Sequence, residues 1–96
     1  MTTAPATNGQ AQLGPNTRRA LVLPVEGTKR RKVLVLIAAY ADAGRDDPAI
    51  SELSQRSGLT YRQVVFVVDR LEADGWLEVR RSHQRRNRYR LLGVGR

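Results

Sequence analysis

Apolar positions in this chain recur at helical spacing through three successive stretches after residue 28, then switch to strict alternation. In the first stretch Val33, Leu36, Ile37 and Tyr40 share one face, which predicts a helix over 29–43 with Thr28 as N-cap and Gly44 beyond its end. The second opens at Asp47-Pro48, an acid followed by proline at the first helical position, carries Ile50 and Leu53 inward and stops near Ser57-Gly58. The third opens with Thr60-Tyr61-Arg62-Gln63, a capping box in which hydroxyl and amide satisfy each other's backbone N–H groups, and runs to Asp74 before Gly75. Only Ser57-Gly58-Leu59-Thr60 separates the last two helices. So short a turn, with a glycine in it, makes them cross steeply with Leu59 between them. The run Val64-Val65-Phe66-Val67-Val68 leaves the inward face ambiguous by one residue, so Phe66 is placed equally by periodicity in the core or on the outer face.

After Gly75, Leu77 and Val79 alternate with Glu78 and Arg80, and later Tyr89 and Leu91 with Arg88 and Arg90. This predicts two strands joined by a polar loop, with Trp76 as an anchor beneath them. Residues 1–17 hold no charged side chain and little apolar surface, and read as a disordered arm. Ala20 to Val25 is an apolar run containing Pro24, so residues 18–27 read as an extended segment, either an edge strand on the domain or a dimer contact. The expected fold class is mainly α with a small β-hairpin, three helices plus a two-stranded wing, folded over 28–93.

Charge narrows the class of partner. The 96 residues carry 17 basic and 9 acidic side chains, a formal net charge of +8, and all the basic ones except Lys29 and Lys32 are arginine. Six arginines and no acid fall within Arg80 to Arg90, immediately after the helix-turn-helix pattern, and guanidinium groups this crowded favour a polyanion. A second basic cluster, Lys29-Arg30-Arg31-Lys32, sits on the positive end of the first helix dipole. A phosphate contact would relieve that conflict. The chain has no cysteine, which excludes disulfides, thiolate metal sites and thiol catalysis. His83 is the only histidine and has no partners for a metal site, and no catalytic constellation or Gly-rich phosphate loop is present. With no export signal and no apolar stretch of bilayer length, the expectation is a cytoplasmic, nucleoid-associated protein without membrane contact, cofactor or small-molecule ligand.

Ile50, Leu53, the Ser57-Gly58-Leu59-Thr60 turn, Val64, Val67, Val68 and Leu71, the Glu72-Ala73-Asp74-Gly75-Trp76-Leu77 junction and the Arg80 to Arg90 hairpin together resemble a winged helix-turn-helix domain. The pattern is most similar to the DNA-binding lobe of MarR-type bacterial regulators. The sequence departs from that family in ending soon after the second strand, without the long dimerisation helices. Pairing is therefore expected either as a homodimer through residues 20–25 or as monomers on repeated sites.

The resemblance implies that the third helix lies in the major groove of double-stranded DNA, with Thr60, Tyr61, Arg62, Gln63, Val65, Phe66 and Arg70 in or near contact. Arg62 has the geometry to read a guanine and Gln63 an adenine, while Val65 or Phe66 would touch thymine methyls. In the wing, Arg85 and Arg86 lead at the tip, flanked by Arg80, Arg81, His83, Gln84, Arg88 and Arg90, on phosphates or in the minor groove. The resulting expectation is a small bacterial, phage or plasmid transcriptional regulator that is not an enzyme. Two alternatives stay open: the DNA-site component of a plasmid or phage replication, transfer or excision machine, and a winged-helix module for protein or RNA.

Overall fold

Four helices and a two-stranded hairpin follow one another along the described residues, 13–81 and 87–92, of the computed structural model. They are α1 (Pro15–Val22), α2 (Thr28–Asp42), α3 (Ile50–Ser57), α4 (Tyr61–Ala73), β1 (Leu77–Arg80) and β2 (Arg88–Leu91). The chain is thus mainly helical with a small antiparallel hairpin, with one helix more than the sequence pattern predicts.

The additional helix, α1, corrects two expectations. Residues 1–12 lie outside the described residues, but Pro15 to Thr17 belong to a helix rather than to a disordered arm, and Arg18 to Val22 are helical rather than extended. Gly14, at the N-cap, has no side chain with which to cap α1. The cap comes instead from Asp42 at the far end of α2. Its Oδ1 accepts from the Asn16 backbone N–H and Nδ2, both at 3.0 Å, and its Oδ2 accepts from the Thr17 backbone N–H at 2.9 Å and Oγ1 at 2.6 Å. A carboxylate is favoured at the N-terminus of α1 by the helix dipole and disfavoured at the C-terminus of its own helix, so Asp42 is useful only because α1 docks there. Glycine at position 14 is required by closeness, since a Cβ there would overlap the Asp42 side chain.

The other end of α1 is held by Arg31, whose Nη2 donates to the Leu21 carbonyl at 2.9 Å and whose Nη1 donates to the Leu23 carbonyl at 3.3 Å. α1 and α2 are therefore antiparallel and clamped at both ends. Beyond α1 the chain becomes extended at Leu23, in time for Pro24. Ala20, Leu23 and Val25 are buried in the core, so this part of the segment proposed for dimerisation is used within the chain, while Leu21 and Val22 stay exposed.

Gly27, at φ 96°, turns the chain into α2, and Thr28 lies inside the first turn instead of capping it. α2 packs on α1, α3, α4 and β2. Because α1 covers a second side of it, Leu34 and Ala38 are buried along with Val33 and Ile37, while Leu36 and Tyr40 are only half-buried. α3 also starts later than Asp47-Pro48 suggests. Pro48 is fully buried, and the helix begins where the Glu52 carboxylate accepts from the Ala49 N–H at 2.8 Å. Arg45 holds the same carboxylate through both terminal guanidinium nitrogens at 2.9 Å and lies over the Tyr40 ring.

The turn into α4 is short and internally bonded. Gly58 adopts φ 77°, the Ser54 hydroxyl donates to the Leu59 carbonyl at 2.6 Å, and the Leu59 N–H donates to the Ser57 hydroxyl at 3.1 Å. The expected capping box then starts α4: the Gln63 N–H donates to Thr60 Oγ1 at 3.1 Å and the Thr60 N–H to Gln63 Oε1 at 2.9 Å. Val64, Val67, Val68 and Leu71 face the core.

In the hairpin Leu77 pairs with Leu91, Glu78 with Arg90, Val79 with Tyr89 and Arg80 with Arg88. Leu77, Val79 and Tyr89 are buried, so the predicted alternation holds. The Tyr89 N–H donates to the Asp46 carbonyl at 2.8 Å, which fastens β2 to the segment before α3. Trp76 is half-buried against the core, and its carbonyl accepts from the Leu92 N–H at 3.0 Å.

Candidate nucleic-acid interface

With Val64, Val67, Val68 and Leu71 pointing inward, the rest of α4 faces solvent. Phe66 is 66% exposed and Tyr61 60%, which places Phe66 outside the core and resolves the ambiguity of the valine-rich run. Val65 is exposed as well, and so are Arg62 and Arg70. The outer face of α4 therefore carries two arginines, two aromatic rings and a valine, together with the exposed Asp69 beside Arg70. Among the described residues neither arginine has an ion-pair partner. A large exposed apolar surface is costly in water and usually marks a contact.

Asp69 and Glu72 do not pair with Arg70, as the sequence would allow. They are taken by Arg81, which donates to both Glu72 oxygens at 3.0 and 3.1 Å and approaches Asp69 at 3.5 Å. Arg81, expected on DNA, is thus a brace between the end of β1 and α4. Its hydrogen bonds to Glu72 outweigh the effect of partial burial and hold its guanidinium still more firmly charged than usual. The brace also neutralises the acids that would otherwise repel an anion from α4. Half-exposed pairs of this kind contribute little stability, so local charge cancellation is their larger effect.

Gln63 is half-buried with its Oε1 in the capping box, and Thr60 is the N-cap; both stand at the end of α4 that carries Tyr61 and Arg62. Beside this end lies an open groove of about 860 Å³, lined by Lys29, Arg30, Arg62, Gln63, Phe66 and Val67 among others. The groove brings the start of α2 next to α4. The four cations there do different things. Arg31 caps α1, and Lys32 Nζ donates to the Ser57 carbonyl at 3.1 Å, at the C-terminal end of α3 where a cation is favoured. Arg30 comes within 3.9 Å of Asp74. Of the four, Lys29 has no such contact among the described residues, and the dipole conflict read in the sequence is largely answered by neighbouring helix ends.

On the hairpin, Arg80, Arg88 and Arg90 are exposed, and Arg90 lies 3.3 Å from Glu78 across the strands. His83, Gln84, Arg85 and Arg86, the expected wing tip, lie outside the described residues. α1 adds two exposed cations that no sequence motif singled out, Arg18 and Arg19. Their exposure follows from a helix that forms only against Asp42 and Arg31, so no local pattern could have revealed it.

Among the described residues no helix is long and apolar enough to cross a membrane. No protein-family model, curated protein or solved structure matches this chain.

Proposed function

We propose that this protein binds double-stranded DNA sequence-specifically, as a small winged helix-turn-helix transcriptional regulator with α4 in the major groove. The observation that carries the proposal is the outer face of α4, where Arg62 and Arg70 stand free of ion pairs among the described residues, beside exposed Tyr61, Val65 and Phe66. A side-chain set of this kind reads a base-pair edge well: guanidinium groups donate to guanine, and apolar groups contact thymine methyls. α3 packs on α4 and the Gly58 turn leads directly into its N-terminus, the end that enters the groove in such domains. Lys29 at the groove beside Arg62, with Arg80 and Arg88 on the hairpin, supplies phosphate contacts on two flanks. The net charge of +8 adds long-range attraction.

The test is selection from a random duplex pool followed by footprinting and a salt titration of the selected site. An enriched, protected site is expected. If about four phosphates are neutralised, the logarithm of affinity falls against log salt with a slope of about −3.6. A palindromic site assigns a dimer and a direct repeat assigns tandem monomers. The absence of any enrichment overturns the sequence-specific reading.

A further inference from the structure

We infer that Arg80 and Arg88 form a single seat for a tetrahedral oxyanion. Resting on the proposed function, the occupant is one DNA backbone phosphate gripped by both side chains together. The two residues are directly paired in the hairpin register, so they project from the same face of adjacent strands. Cβ atoms of directly paired residues stand about 4.5–5.5 Å apart, and like charges in that relation destabilise the pair. Both residues are exposed, and among the described residues neither has an ion-pair partner.

The next pair on the same face is built the opposite way, with Glu78 facing Arg90 at 3.3 Å. A complementary pair is thus available to this hairpin, yet the position nearer the loop carries two cations. These side chains surround a concavity of about 230 Å³, lined also by Tyr89, Arg90, Glu78 and Asp46. Glu78 is neutralised by Arg90, and Asp46 lies in an ion pair with neither Arg80 nor Arg88. An oxyanion with several acceptor oxygens turns the repulsion into two charge-assisted contacts. One anion then answers both cations, whereas two separate phosphates would leave the concavity between the strands unused.

Two measurements on the full chain test this. The first compares thermal midpoints in sodium sulfate and sodium chloride at equal ionic strength for wild type, Arg80→Gln, Arg88→Gln and Arg18→Gln. Arg18 is an exposed helix cation that matches the charge change without touching the hairpin. The seat predicts a sulfate-specific rise in wild type that is at least halved in both hairpin variants and kept in Arg18→Gln. Asp46→Asn should enlarge it. An equal fall in all three charge variants means that only net charge matters and overturns the seat.

The second measurement is the salt slope of duplex binding. A single shared phosphate predicts that the double variant flattens the slope by about 0.9 and that neither Arg80→Gln nor Arg88→Gln flattens it by more. A double variant flatter by about 1.8 indicates two separate phosphates and overturns the sharing. If no duplex binds while the sulfate response behaves as expected, the DNA reading falls and the seat stands for free oxyanions. If duplex binds but the hairpin variants behave like Arg18→Gln in both assays, the seat alone falls.

Discussion

Replacing Asp42 by alanine removes, in one step, the four side-chain-mediated hydrogen bonds that hold the N-terminus of α1 among the described residues. Four hydrogen bonds end on that carboxylate, two from backbone N–H groups that have no other acceptor in the first turn of a helix. Loss of a normal N-cap costs about 0.5–2 kcal/mol, and bonds to an ionised acceptor lie at the upper end of that range. At eight residues α1 is too short to persist alone, so a loosened first turn releases the rest of the helix. α1 brings few buried side chains of its own, chiefly Thr17 and Ala20, but its release also uncovers Leu34 and Ala38 on α2, so the loss reaches at least the upper end of that range. We expect about 2 kcal/mol, which for a domain of this size is a fall in melting temperature of roughly 8–16 °C.

Acid gives a second handle on the same contact. Burial alone would raise the pKa of Asp42, but hydrogen bonds from Thr17 and Asn16 outweigh it and hold the carboxyl below its usual 3.8. A depressed folded value means that the stabilisation is fully present above about pH 3.8 and is lost as pH falls through the lower folded value. Asp42→Asn keeps one acceptor and cannot titrate. It should show a smaller loss at neutral pH and a shallower acid limb than wild type. Thermal melts followed by circular dichroism at neutral pH and near pH 3 measure both. A melting temperature for Asp42→Ala within about 2 °C of wild type, or an unchanged acid limb in Asp42→Asn, would refute the account of α1 as a helix capped from α2.

Three further outcomes follow from the same geometry. Arg31→Met removes the guanidinium from the Leu21 and Leu23 carbonyls and should cost about 1 kcal/mol, with less than additive loss in combination with Asp42→Ala because α1 leaves as a unit; chemical denaturation of the single and double variants measures the coupling. Burial lifts the Tyr89 hydroxyl above its usual 10, so the stabilisation of its neutral form is present below about pH 10 and lost as pH rises through the folded value; Tyr89→Phe should flatten the alkaline limb of stability, read by denaturation against pH. Glu72→Gln releases Arg81 and removes an acid from beside α4, so stability should fall by less than about 1 kcal/mol while duplex affinity rises roughly twofold in a titration at fixed salt.

What could be read from the sequence was local. Thr60 and Gln63 announce the start of α4 because a capping box needs nothing beyond three residues' separation, and Leu77, Val79 and Tyr89 announce the hairpin because alternation is itself the fold rule. What could not be read depends on distant partners. α1 has neither an acid in its first turn nor a side-chain cap of its own, and the residue that completes it, Asp42, lies 26 positions after Asn16. Pro24 suggested a strand edge, yet it only follows a helix that ends before it. Asp47-Pro48 looked like a helix start, but burial of Pro48 and the Glu52 contact to Ala49 move the start to Ile50. In the candidate interface the residue types were legible and their availability was not. Arg31, Lys32 and Arg81 have the same charge as Arg62 and Arg70, and only the packed structure assigns the former to helix ends and braces.

The central claim rests on Arg62 at the start of α4. It is tested most directly by binding of Arg62→Ala to the duplex selected by the wild type and to a scrambled duplex, at one salt concentration. A guanidinium that reads a base accounts for about 1–3 kcal/mol of discrimination, so the selected duplex should lose roughly 5- to 150-fold in affinity while the scrambled one changes little. Equal losses on both duplexes, or no loss on either, would contradict a recognition role for α4.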